Sequence, residues 1–135
     1  MDRSPALRWR ATWLALGWLL LLAIVGLSLA PRPPQIDLPQ GDKLGHAVAY
    51  GAAMWWFCQI YRSGRARAGY AIGFVALGIA IEFAQRATGY RSYEELDMLA
   101  DAAGVALGWV IARFEGGRLF ARIEAILARK PIGKS

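Results

Sequence analysis

Four apolar blocks, each long enough to cross a lipid bilayer, dominate this chain of 135 residues. The hydrocarbon core of a bilayer is about 30 Å thick, and a helix of roughly 20 residues spans it. Hydrophobic residue types make up 56% of the chain, and they are concentrated in these blocks. The blocks are residues 11–30, 44–61, 68–85 and 96–114. They predict an all-α fold, an integral membrane bundle of four transmembrane helices.

The first block has two interpretations. It contains no charged residue and is followed by a proline-rich stretch at 31–34. A cleaved signal peptide is the alternative, because Ser28, Leu29 and Ala30 resemble a small-residue cleavage site. However, the block is longer than the apolar core of a usual signal peptide, and a proline would follow the cut. We therefore interpret it as a retained transmembrane helix.

Basic residues are distributed unevenly between the segments that flank the blocks. Three lie before the first block, three lie in the 62–67 connection and six lie from Arg113 onward, whereas the other two connections hold four. Lys and Arg collect in the cytoplasmic segments of membrane proteins. We therefore predict a multi-pass protein of the plasma (inner) membrane with cytoplasmic N- and C-termini. The net charge of +6 reflects this topology, so no nucleic-acid partner is predicted.

The C-terminal stretch predicts a basic amphipathic helix. In a helix its apolar residues fall on one face and its arginines on the other. The apolar set is Leu119, Phe120, Ile123, Ile126 and Leu127, and the basic set is Arg118, Arg122 and Arg129. Such a helix lies on the cytoplasmic membrane surface, and a helix that binds a partner is the alternative. The predicted divisions are an N-tail (1–10), a transmembrane domain (11–114) and a cytoplasmic tail (115–135).

Ionisable residues lie inside three of the blocks, and helix length decides that they are immersed in the membrane. If the fourth helix began only after Asp101, its apolar remainder at 102–112 would be about 17 Å long, too short to span. The same length argument places Glu82 of the third block and His46 of the second block inside the membrane. Such groups face the bundle interior and find partners there. We therefore expect the three to converge near the outer face.

Small residues on the fourth block predict a close helix–helix contact. Ala100, Gly104 and Gly108 recur every four residues, a spacing that lets another helix approach closely. Asp97 and Asp101 fall on the same side of this helix. The polar face and the packing face are therefore predicted to coincide.

Four motifs in this order resemble the VanZ-like family of membrane proteins, which is named for a link to teicoplanin resistance. The stretches DKLGHAVAY, IEFAQ and GYRSYEELDMLADAAGVALG carry the resemblance over about residues 42–108. They match an Asp-Lys-x-x-His start, a Glu-x-x-Gln helix end, an Arg in the next loop and an Asp-(x3)-Asn-(x2)-Gly-(x3)-Gly helix. The matching residues are Asp42, Lys43, His46, Glu82, Gln85, Arg91, Asp97, Gly104 and Gly108. This chain departs from the pattern at Asp101, where the family has Asn. The resemblance implies a four-helix domain and a role in the cell envelope.

Two functions are open for the predicted polar cluster. The cluster comprises Asp42, Lys43, His46, Glu82, Gln85, Arg91, Asp97 and Asp101. One hypothesis is a site that binds or processes a lipid-linked or glycopeptide-related envelope component. In it, Arg91 pairs with a phosphate or carboxylate, and His46 serves as a general acid or base with Glu82 or Asp101. The other hypothesis is a non-catalytic membrane scaffold in which the same residues join the helices.

The partners predicted from the sequence are the lipid bilayer and, under the first hypothesis, a lipid-linked envelope precursor. No cofactor and no metal is predicted, because one histidine with scattered acids is a weak metal signature. The sequence leaves open whether the protein is an enzyme and what its oligomeric state is.

Overall fold

Five α-helices and no strand make up the part of the chain that the structure describes. A computed structural model describes residues 6–33, 36–90 and 94–129. The helices are α1 (Arg10–Leu29), α2 (Gly41–Ile60), α3 (Gly64–Thr88), α4 (Glu95–Phe114) and α5 (Leu119–Arg129). The all-α class is therefore confirmed. Helices α1 to α4 begin and end within four residues of the four apolar blocks.

Short connections turn the chain back after each of the first three helices. Ser63 caps α3 by accepting a hydrogen bond from the backbone N–H of Ala66 at 3.1 Å. Gly89 ends α3 in the left-handed region, at φ 75°, which glycine adopts without strain. Helices α2 and α4 consequently both start at one end of the bundle, which we call the polar end. Helix α5 lies at the opposite end, which we call the tail end.

Helices α2 and α4 run parallel and form the most extensive helix contact. A Cβ added at Gly104 would overlap the carbonyl oxygen of Ala47, and one at Gly108 would overlap that of Gly51. The two backbones therefore touch, as small residues allow. Ala100, the first residue of the predicted small-residue series, is half-buried.

Aromatic side chains fill the centre of the bundle. Phe57 of α2 is 1% exposed, and its ring centroid lies 4.7 Å from that of Tyr70 and 5.5 Å from that of Phe74 on α3. Met54 and Cys58 of α2 are fully buried beside this group. The core is thus built around α2, which contacts all four other helices.

Helices α1 and α3 are long and apolar enough to cross a membrane by length and composition. Of the 18-residue apolar stretch in each helix, only 17% is buried in α1 and 28% in α3. The core helix of a soluble protein would be mostly buried. A signal sequence near the N-terminus would pass the same test as α1. These two helices point to a membrane protein, and they do not establish the four spans expected from the sequence.

Phe120 of α5 packs against the bundle, although the sequence placed it on the membrane-facing side of the tail helix. Its ring stacks on Trp13 with centroids 4.1 Å apart and meets the edge of Trp56 at 4.7 Å. Phe120 is 2% exposed, whereas Ile126 is 68% exposed and Leu127 is 49% exposed. The apolar residues predicted to share one face of α5 therefore have different surroundings. Phe120 packs against the indole rings of α1 and α2, whereas Ile126 and Leu127 are exposed.

Glu124 fixes α5 to the start of α1. Its carboxylate accepts hydrogen bonds from the backbone N–H groups of Arg8 (2.7 Å) and Trp9 (3.0 Å) and from the indole N–H of Trp13 (2.8 Å). The side chain of Trp9, the N-cap residue of α1, makes no capping hydrogen bond. Glu124 therefore satisfies the backbone N–H groups of the two residues that precede α1 and holds α5 against that end of the helix.

Candidate functional site

His46 lies between two aspartates of α4. Its Nδ1 is 2.8 Å from Oδ1 of Asp101, and its Nε2 is 3.6 Å from Oδ2 of Asp97. The two aspartates are four residues apart and so lie on the same side of their helix. Because α2 runs beside α4 in close contact, the imidazole ring of α2 reaches both. Hydrogen bonding of one ring nitrogen sets the orientation and tautomer of a histidine, so this arrangement holds the ring in place.

We call His46 and Asp101 the His46 pair. Lys43 connects this pair, through Asp97, to Glu94 just before α4. Its Nζ lies 2.8 Å from Asp42, 2.7 Å from Glu94 and 3.3 Å from Asp97. Asp97 thus lies between the ammonium of Lys43 and the ring of His46. The oxygens of the three acids that contact Lys43 come within 4.8 Å of one another, a spacing that could hold a metal ion. The ammonium of Lys43 already lies within ion-pair distance of all three.

Helix α3 closes the site from its other side. Glu82 is 1% exposed and accepts a hydrogen bond from the backbone N–H of Glu94. The carboxylate of Asp101 packs against Gly78, where an added Cβ would come within 2.5 Å of Oδ2. A side chain at position 78 would therefore displace Asp101 from the site. The three ionisable residues that the sequence placed near the outer face thus lie at one end of the bundle.

Gln85 makes a different contact from the rest of the predicted cluster. Its Nε2 donates to the carbonyl oxygen of Ser28 on α1 at 2.7 Å. Tyr90 donates from its hydroxyl to the neighbouring carbonyl of Leu29 at 2.8 Å. Gln85 therefore joins α3 to α1, whereas Glu82 faces α4. Arg91 lies outside the described residues.

A cavity of about 770 Å³ opens at the polar end between α1, α2 and the start of α4. Its volume falls in the range of small-molecule and cofactor sites. One part of its wall is apolar, and another carries the polar groups described above. The apolar part includes Ile24, Leu27 and Ile36, and the polar part includes Arg32, Asp42, His46, Glu94 and Asp97.

Four residues of this cavity were missed by the sequence analysis as site residues. Glu94 and Arg32 lie in connections, where sequence spacing does not show which helix they will contact. Tyr90 follows the end of α3. Tyr50 lies one helical turn after His46, and this spacing was the signal that could have placed it at the site. The structure buries the Tyr50 hydroxyl with no hydrogen-bond partner in the part of the chain it describes.

This arrangement can bind a polar group, and it can also transfer a proton. A histidine hydrogen-bonded to a carboxylate is a common general acid or base. Here His46 also borders the cavity, so a bound molecule can approach the ring. The same contacts also join α2, α3 and α4, which is the geometry that the scaffold hypothesis needs.

No family model, curated protein or solved structure gives a significant match to this chain. The resemblance to the VanZ-like family rests on the motif residues and stays a prediction.

Proposed function

We propose that α1 to α4 all cross the membrane, so that the protein is a four-span membrane protein of the VanZ-like type. Helices α2 and α4 have 20 residues each, a length of about 30 Å. Both present large apolar side chains outward, although they also carry the buried charges of the site. These exposed side chains include Leu44 and Val48 on α2 and Leu99, Leu107, Val110 and Phe114 on α4. Exposure of several large apolar side chains on these two helices suits contact with lipid.

The proposed orientation places the tail end in the cytoplasm and the polar end at the outer leaflet of the inner membrane. The tail end carries the basic residues of 62–67, Arg118, and the two arginines of α5, Arg122 and Arg129. Lys and Arg favour the cytoplasmic side. The polar end carries the cavity and the His46 pair. A ligand would therefore reach the cavity from the outer leaflet.

We propose that the cavity binds, or processes, a lipid-linked or glycopeptide-related component of the cell envelope. The observation that carries this proposal is the cavity itself, where His46 and Asp97 border the same space as the apolar wall of Ile24 and Leu27. A molecule with a polar head and an apolar tail matches both parts of that wall.

Native mass spectrometry of the purified protein tests this function. Wild type is compared with His46→Gln and Asp97→Asn, which change polar groups of the cavity wall. Glu95→Gln is the matched control, because Glu95 is an exposed acid in the first turn of α4 and does not line the cavity. We expect a defined lipid or lipid-linked molecule on wild type and on the control, and its loss from the folded cavity variants. Equal retention by all four proteins, or no lipid on any of them, would refute the proposal.

The second candidate function is a non-catalytic scaffold whose polar residues hold the helices together. Lys43 of α2 bonds to Glu94 and Asp97 at the start of α4, and Gln85 joins α3 to α1. Under this hypothesis, Glu82→Ala and Asp101→Ala unfold the protein. They do not act by removing a ligand-binding group from a protein that stays folded. A thermal melt in detergent that matches wild type for both variants would exclude it.

A further inference from the structure

We infer that the head of the bound molecule carries a primary ammonium and a phosphate, the ammonium at the carboxylates of α2 and α4 and the phosphate at Arg32. This inference rests on the proposed binding function of the cavity and adds the chemical class of the ligand. It follows from the charges of the cavity wall, the accessibility of its carboxylates and the position of its arginine.

Acidic groups outnumber basic groups at and behind the wall of the cavity. Of the described residues that line it, three are acids (Asp42, Glu94 and Asp97) and two are bases (Arg32 and His46). The ammonium of Lys43, which contacts all three acids, is a third base at this wall. Two more carboxylates, those of Asp101 and Glu82, are buried behind this wall. Buried carboxylates without enough cations are unfavourable, so the site favours a positively charged group.

Two of these carboxylates, those of Asp42 and Glu94, remain accessible to such a group, whereas the side chain of Asp97 is 9% exposed. Lys43 contacts all three, yet the side chain of Asp42 is 47% exposed and that of Glu94 is 43% exposed. Asp97 turns its second oxygen toward His46 at 3.6 Å, longer than an ordinary hydrogen bond. A primary ammonium has three N–H donors that can point to acids on separate helices. Tyr90, which is 53% exposed, also lines the cavity, and aromatic rings attract cations.

Arg32 provides the complementary site for an anion. It follows the end of α1, is exposed and lines the same cavity as the acids of α2 and α4. A guanidinium binds phosphate through two parallel hydrogen bonds. Ile24, Leu27 and Ile36 form the apolar remainder of the wall, which suits a hydrocarbon chain. An aminophospholipid has these three parts, and so does a lipid-linked precursor that bears an amine.

Lipid competition on the purified protein tests the inference. The probes are phosphatidylethanolamine, phosphatidylcholine and phosphatidylglycerol with identical acyl chains, offered in equal amounts and measured by native mass spectrometry. We expect phosphatidylethanolamine to be retained about tenfold over the other two, the effect of one charged interaction. Asp97→Asn and Asp42→Asn should abolish this preference, and Arg32→Gln should weaken binding of all three. Glu95→Gln, the exposed acid outside the cavity, should behave as wild type.

The outcomes separate this inference from the proposed function. If wild type binds no lipid, the proposed function fails. If it binds phosphatidylglycerol or phosphatidylcholine as well as phosphatidylethanolamine, the ammonium is not recognised and this inference alone fails. Asp42→Asn keeps the test valid if Asp97→Asn does not fold. Fragmentation of the lipid that co-purifies from the membrane then identifies its source. Either an aminophospholipid or a larger precursor with an amine supports the inference. A co-purified lipid without an amine contradicts it.

Discussion

At the residue scale, the contact between His46 and Asp101 predicts how the site responds to loss of a carboxylate. Asp101 is 3% exposed and lies 2.8 Å from the ring nitrogen of His46. Asp101→Ala leaves that nitrogen without its partner, at a cost of about 1–3 kcal/mol. Asp101→Asn keeps an oxygen acceptor at the same place. We expect the melting temperature in detergent to fall clearly for Asp101→Ala and less for Asp101→Asn.

A double-mutant cycle provides the control for this contact. In a His46→Ala background there is no imidazole ring, so Asp101→Ala cannot leave a ring nitrogen without its hydrogen-bond partner. The effect of Asp101→Ala on the melting temperature should therefore be smaller than in wild type. If the two substitutions are additive, the pair contributes nothing to stability. If Asn at position 101 were as damaging as Ala, the charge of Asp101 would matter more to stability than its hydrogen bond to the ring.

At the element scale, the contact between α2 and α4 predicts that one methyl group at Gly104 is destabilising. The added Cβ would overlap the carbonyl oxygen of Ala47, which is backbone and cannot rotate away. Overpacking of this kind costs about 1–3 kcal/mol. Gly69→Ala on α3 is the matched control, because a Cβ there meets no atom within 4 Å. We expect Gly104→Ala to melt well below wild type and Gly69→Ala to melt at or above it, and equal melting of the two would contradict the described contact.

The attachment of α5 predicts a pH dependence. Burial alone would raise the pKa of Glu124, but the backbone N–H of Trp9, the indole of Trp13 and the charge and amide of Arg8 together lower the pKa below its ordinary value of 4.5. A lowered pKa in the folded state means that the ionised carboxylate stabilises docking above pH 4.5. This stabilisation is lost as the pH falls below about 4.5 and through the folded-state pKa.

A fluorescent label at Ala128→Cys, an exposed position of α5, measures this docking. Label anisotropy should be constant from pH 7 to about 4.5 and fall at lower pH, because α5 then moves more freely. In Glu124→Gln the anisotropy should be lower at pH 7 and should no longer depend on pH in this range. The same pH curve for wild type and Glu124→Gln would show that another group controls the docking.

The elements differ in how well the sequence predicted them, and the reason is physical. Helix bounds follow from local properties, the length of an apolar block and the turn residues beside it, so α1 to α4 lie close to the predicted blocks. Glu124 could not be assigned in that way, because an acid on a basic amphipathic helix gives no sign that it meets the start of α1. Gln85 was grouped with Glu82 by helical spacing. Three residues apart, they still differ by about 60° around the helix axis, enough to direct one to α4 and the other to α1.

At the scale of the whole molecule, the number of spans decides where the site lies. If all four long helices cross the membrane, the 31–40 connection and the 61–63 connection lie on opposite sides. If only α1 and α3 cross, α2 remains on one surface and both connections share a side. The cavity would then be assembled at the surface and not within the outer leaflet. The two arrangements therefore predict different chemistry for the same His46 pair.

Cysteine labelling in intact cells distinguishes them. Asp37→Cys and Gly64→Cys are made in a Cys58→Ala background, and both positions are exposed, with open space around a Cβ at Gly64. In the four-span arrangement, a membrane-impermeant maleimide labels position 37 from outside, and position 64 reacts only after the cells are permeabilised. Labelling of both positions from outside would support two spans, and labelling of position 64 alone would reverse the orientation. Because basic residues are concentrated on the tail-end side and favour the cytoplasm, we expect only position 37 to react, which places the cavity and its carboxylates at the outer leaflet.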